Sequence, residues 1–180
     1  MIKTSLFVGI AVAALAARAE AGGSPNSIGV GAEFQLSGLG GASVNYDAGP
    51  FHLGGFLGYA DDGNNNNDFE LGGRFFYHIH STAMSDFGVG GGLGLESAKR
   101  QPMGGGPTVR NTYVFVEPSI QIRLFVASNV ALSFTTGLTI GVADAQGYAI
   151  TGQSVGGGAF TVGGAGVGFL GGAGVHYYFF

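Results

Sequence analysis

From Ile28 onward the chain alternates apolar with polar or small residues at a period of two, and no stretch keeps a helical period. That pattern leaves sheet as the building material, with one set of side chains on each face. The stretch from Asn129 to Val142 is the clearest. Val130, Leu132, Phe134, Leu138, Ile140 and Val142 share one face, joined by Thr136. Asn129, Ala131, Ser133, Thr135, Gly137, Thr139 and Gly141 form the other. The segment before it repeats the scheme, with Thr112, Val114, Val116, Pro118, Ile120, Ile122 and Leu124 against Tyr113, Phe115, Glu117, Ser119, Gln121 and Arg123. Eight such strands are predicted, the last from about Gly168 to Phe180.

Which face meets which solvent is decided by the polar set. It consists of Gly, Ser, Thr, Asn and Gln with a few charges, and no predicted strand contains Lys. A water-facing sheet normally carries more charge, Lys above all. The chain is 46% hydrophobic and 10% charged, against about 25% charged in ordinary soluble domains. The apolar face therefore points at lipid and the polar face at an interior, the reverse of a soluble lipocalin-type barrel. Only helices and closed barrels pair every backbone group inside a bilayer. Beyond the first residues, no apolar run reaches the length of a spanning helix.

Residues 1–21 read as a secretory signal peptide. Lys3 supplies the positive start, Leu6 to Ala17 the apolar stretch, and Ala19-Glu20-Ala21 a small-x-small cleavage site. Residues 22–180 then form one domain. Lys3, Arg18 and Glu20 leave with the signal, so 7 basic and 11 acidic residues become 5 and 10, a formal charge of −5. Such a chain has no basic surface for nucleic acid. Without Cys it has neither disulfides nor thiolate metal sites.

Connections alternate in length. Short turns fall at Asp47 to Pro50, Ser81 to Met84 and Val126 to Ser128. Longer polar loops fall at Asp61 to Asn67, Ser97 to Arg110 and Ala143 to about Gly166. The connection Gly38 to Gly41 is unexpectedly short, and the last loop has room for its own hairpin, with Tyr148 to Thr151 facing Phe160 to Val162. The chain ends Tyr177-Tyr178-Phe179-Phe180.

With its signal peptide, eight strands, loop asymmetry and terminal Phe180, the chain resembles the small eight-stranded outer-membrane β-barrels typified by the membrane domain of outer-membrane protein A. The resemblance implies an antiparallel up-and-down transmembrane barrel in the outer membrane of a Gram-negative bacterium. Its partners would be outer-membrane lipids and, during biogenesis, the barrel assembly machinery reading Tyr178 and Phe180, both facing outward. A bulge among the glycines of the last strand could reconcile that with the more apolar set Phe169, Ala173, Val175, Tyr177 and Phe179. Members of the family do different jobs, so no activity carries over.

Glu33, Glu70, Arg74, Glu117 and Arg123 fall on the predicted inward face. In a narrow lumen they must pair, because an unpaired buried charge is very costly. They read as a structural ion-pair core, with an ion path or gate as the alternative. The inward glycines Gly88 to Gly94 lie beside inward Tyr113 and Phe115, as expected of a tapered interior filled small against large.

His52, His78 and His80 are expected on one face of adjacent strands, as interfacial or network histidines rather than a metal site. No His lies in a predicted outer loop, where a lipid-modifying enzyme would need one, and no catalytic, cofactor or metal residue is assigned. Pro118, inside a strand, suggests a bulge or a lipid-facing kink. The Asn64 to Asn67 run reads as a solvated turn. The expected function is a non-enzymatic envelope scaffold presenting extracellular loops for surface interaction. The alternatives are a narrow ion or small-solute channel and, less favoured, a lipid-modifying barrel enzyme.

Overall fold

The computed structural model describes residues 25–36, 38–102, 106–144 and 167–179. The expected signal peptide, the hairpin of the last loop and Phe180 lie outside the described residues. Eight strands follow in order: β1 (Ser27–Gln35), β2 (Gly40–Asp47), β3 (Phe51–Asp61), β4 (Asn67–Ser81), β5 (Ser85–Arg100), β6 (Val109–Ala127), β7 (Val130–Asp144) and β8 (Val167–Phe179). Each pairs antiparallel with the next, and β8 closes onto β1 through Ile28↔Phe179 to Gln35↔Gly172. Closure leaves no open edge. The chain is an all-β, eight-stranded antiparallel up-and-down barrel.

The two faces are inverted relative to a water-soluble protein. Leu93 (67% exposed) and Phe134 (49%) point out, while Phe76 (0%), Arg123 (1%) and His176 (1%) point in. On β6 the outward row Val114, Val116, Pro118, Ile120, Ile122, Leu124 and Val126 carries no charge. Tyr46, Tyr77, Tyr177 and Phe179 are exposed toward the end that bears the turns, and Phe34, Tyr59 and Phe69 toward the end that bears the loops. Aromatic residues at both rims of an apolar band are the surface expected of a spanning barrel.

Several local expectations need correction. Tyr178 does not face outward. It is 1% exposed and belongs to the inward set, while Tyr177 and Phe179 stack edge to face outside, centroids 5.0 Å apart. The β7–β8 register runs unbroken from Val130↔Tyr177 to Ile140↔Val167, so no bulge rescues the other reading. The physical reason is a hydroxyl: Tyr178 has a buried partner inside, and Phe179 has nothing to lose in lipid.

His80 is likewise not on the face of His52 and His78. The β4–β5 register shifts between His78 and His80, which turns His80 outward. Pro118 faces outward without a bulge. Val116↔Ile140 and Ser119↔Gly137 keep one register across it, and the irregularities of β6 fall at Val114/Phe115 and Phe125/Ala127 instead. Finally, β5 and β6 extend to Arg100 and Val109, so both ends of the expected loop from Ser97 to Arg110 are strand and Lys99 lies within β5.

The short first connection works because Gly38 takes φ +90°, a conformation open to glycine at little cost. The turn drops Leu39 (4% exposed) into the mouth of the barrel. Deeper inside, aromatic rings lie over glycines. A Cβ on Gly94 would collide with the Phe115 ring, so these small and large positions are complementary.

Gly90 is stricter, since its Cβ would run into the Phe75 carbonyl and approach the Phe76 Cα to 2.8 Å. Gly90→Ala should therefore destabilise the barrel by about 1–3 kcal/mol, read as a lowered urea midpoint in detergent micelles. Gly73→Ala, whose Cβ would find only the Gly54 carbonyl at 3.8 Å, should leave the midpoint unchanged.

Candidate functional site: the charged interior

Eight strands enclose space for side chains and little else. Here that space is filled by two arginine-centred networks. The first sits at the turn end, because Asp47 closes β2, Asp86 is the second residue of β5 and Tyr178 the last but one of β8. Arg123, from β6, reaches all three. Its Nη2 donates to Asp47 Oδ2 and to Asp86 Oδ2, both at 2.7 Å, and its Nη1 donates to the Tyr178 hydroxyl at 2.9 Å. The guanidinium also lies over the Phe125 ring, 5.4 Å from its centroid. Arg123 and Asp47 are buried almost completely. Charge-assisted bonds of this kind are strong, and here they satisfy groups that burial would otherwise penalise.

Two histidines extend this network. His52 Nδ1 and His78 Nε2 are 2.8 Å apart, His78 Nδ1 lies 2.9 Å from the Gly49 carbonyl, and Arg123 Nη2 approaches His78 Nε2 at 3.2 Å. His52 stacks on Phe76 with centroids 5.2 Å apart. Among the described residues no three metal-ligating side chains converge.

The second network is centred on Arg74 of β4. Its Nη1 donates to Glu33 Oε2 at 2.6 Å and its Nε to Glu117 Oε2 at 2.9 Å. The cation also lies over the Phe56 ring, 5.6 Å from the centroid. Toward the loop end, Gln35 Nε2 donates to Glu70 Oε1 at 2.8 Å. The inward set expected from the sequence is thus split. Glu33, Arg74 and Glu117 share one network, Arg123 heads another, and Glu70 bonds Gln35. Asp47 and Tyr178 join them as inward polar residues that the alternation did not assign to the network. The signal available for Asp47 was its place directly before a turn, which read as turn chemistry.

Ser43, His176 and Glu33 raise the question of nucleophilic chemistry. Ser43 Oγ is 2.6 Å from His176 Nε2, and Glu33 Oε1 is 3.5 Å from the same nitrogen. A hydrolase triad needs the acid on one ring nitrogen and the nucleophile on the other. Here both share Nε2, and buried Nδ1 has no partner. The three are packing partners in a closed interior, since Ser43 and His176 are both buried. Beside Arg74 the enclosed cavity lined by Glu33, Asn45, His52 and Gln121 measures about 10 Å³, roughly what a single water requires.

Two solved structures share this architecture. The N-terminal β-barrel domain of Pseudomonas aeruginosa OprF superposes with a TM-score of 0.57 at 16% identity, covering 86% of this chain and 98% of that one. The chain has the fold of the small outer-membrane β-barrels. Neisserial surface protein A gives a TM-score of 0.53 at 13% identity, covering 85% of this chain and 94% of that one. No protein-family model and no curated protein sequence matches the chain.

At the loop end, the connections after β3 and β5 are tied together. Gln101 N donates to Asn66 Oδ1 at 2.6 Å, and the Gln101 side chain bonds the Gly106 carbonyl and the Thr108 hydroxyl, each at 2.7 Å. Asp62 accepts from Asn64 N at 2.8 Å and Asn66 Nδ2 at 2.7 Å. The Asn66 amide holds the Asp62 carboxyl below its ordinary pKa. Arg100 pairs with Asp68 at the mouth.

Proposed function

We propose that the chain is an integral outer-membrane barrel that acts as a non-enzymatic envelope scaffold and presents its longer loops outside the cell. Its turns then face the periplasm and its loops the exterior, the usual sense for such barrels. The inverted surface and the likeness to two outer-membrane barrels support the location. The observation that carries the role is the filled interior. Arg123 and Arg74 are clamped by carboxylates from other strands, aromatic rings occupy the space over Gly29, Gly58 and Gly94, and the enclosed cavity beside Arg74 has room for about one water. A barrel so filled offers its partners the loops rather than a passage. The tied connections after β3 and β5 give that surface a defined shape.

Single-channel recording tests this. The folded protein, verified by its heat-dependent gel mobility, should leave a planar bilayer silent. Discrete, reproducible current steps would favour the competing reading, a narrow channel, and would direct attention to Arg74 and Arg123.

A further inference from the structure

The extension of β5 and β6 sets two cations side by side. Lys99 and Arg110 are direct partners across the β5–β6 ladder, and Lys99 also faces Asn67 on β4. Both belong to the outward row. Ala98, one residue away, is buried, while Leu95, in step with Lys99, is exposed.

Arg110 is held in place by neutral groups. Its Nη1 donates to Ser97 Oγ at 2.9 Å and its Nη2 to Asn67 Oδ1 at 3.1 Å, while Thr112 Oγ1 donates to Ser97 Oγ at 3.2 Å. Among the described residues, Arg74, Arg100 and Arg123 each have a carboxylate partner, and Lys99 and Arg110 have none. Asp61 ends the same row on β3, opposite Asn67. Its carboxylate already accepts from the Tyr59 hydroxyl at 3.0 Å and Gly63 N at 2.8 Å.

Like charges directly opposite on a sheet destabilise it. In a chain with so few basic residues, their unbalanced juxtaposition on the lipid-facing side asks for an anion. The depth says which one. Tyr59 and Phe69, paired with each other on β3 and β4, and Ser97 opposite Phe69, lie just inside the cationic row. Exposed aromatics at this rim mark the membrane–water interface. We propose that Lys99 and Arg110, with Asn67 and Ser97, form a site for the phosphate of a lipid headgroup in the outer leaflet. The proposal rests on the outer-membrane reading above.

The test uses the full folded barrel in nanodiscs of phosphatidylcholine with or without lipid A, followed by detergent extraction and native mass spectrometry. Wild type should retain lipid A roughly tenfold or more better than the double variant Lys99→Gln/Arg110→Gln, given about 1 kcal/mol per cation near a charged membrane surface. Arg100→Gln, whose cation pairs with Asp68, should retain it like wild type. Inorganic phosphate at the same concentration should not displace the lipid.

A second variant crosses the two effects. Lys99→Glu should raise the urea midpoint in phosphatidylcholine micelles, by giving Arg110 an opposite partner, yet lose lipid A retention. Equal retention by folded wild type and double variant would overturn the site, as would displacement by free phosphate or a lowered midpoint for Lys99→Glu. A wild-type chain that never acquires the folded, heat-shifted mobility in vesicles would overturn the membrane reading itself, which the lipid count does not address.

Discussion

Replacing Arg123 with leucine should cost the barrel about 3–5 kcal/mol, the range for breaking a buried ion pair from one side. The loss would leave Asp47 and Asp86, both buried, facing each other with no cation between them, and would strip the Tyr178 hydroxyl of the donor at 2.9 Å. Little else can compensate. His78 lies 3.2 Å from the guanidinium, but it is already engaged by His52 and the Gly49 carbonyl. The measurement is the urea midpoint in phospholipid vesicles. A triple variant that adds Asp47→Asn and Asp86→Asn should recover much of the loss, because a buried ion cluster often adds little over a neutral, well-packed replacement. If Arg123→Leu alone unfolds at the wild-type midpoint, the turn-end network is not what holds the strand ends together.

That network also shows what the alternation could and could not reveal. The facing of Tyr113, Phe115, Glu117, Gln121 and Arg123 follows from a period of two and was legible, as was the pairing of inward aromatics with inward glycines. The partners of Arg123 were not. Asp47 lies 76 positions away in the chain and Asp86 37, and which of them reaches the guanidinium depends on the stagger of strands around the barrel. Faces are set locally, but levels are set by closure.

The last strand failed for a different reason. Tyr177-Tyr178-Phe179-Phe180 is apolar on both faces, so the period carries no information about register there. The Arg123–Tyr178 bond distinguishes inside from outside. The bulge that turns His80 outward left no mark either, since Tyr77 to Ser81 contains neither Gly nor Pro. For Pro118 the lipid-facing reading holds and the bulge does not. Its missing N–H is accommodated on the outward row beside Gly91 with the register intact.

The lipid-facing assignment can be tested by depth as well as by face. Ile120 lies at the middle of the outward row of β6, with Val114 and Val126 near its ends, and both Ile120 and Val126 are 40% exposed. Ile120→Arg should cost about 2–4 kcal/mol and Val126→Arg about 0–1, because the penalty for a cation on the lipid face falls from midplane to interface. Both substitutions replace an equally exposed aliphatic side chain on one strand, so packing alone predicts equal effects. In water, exposed substitutions of this sort stay within about 0.5 kcal/mol of wild type. Refolding titrations in vesicles therefore separate the readings by the gradient rather than by the sign. A steep difference between the two positions means that hydrocarbon surrounds Ile120. Equal, small effects would mean that the apolar band is not in a bilayer, and the outer-membrane reading would fall with it.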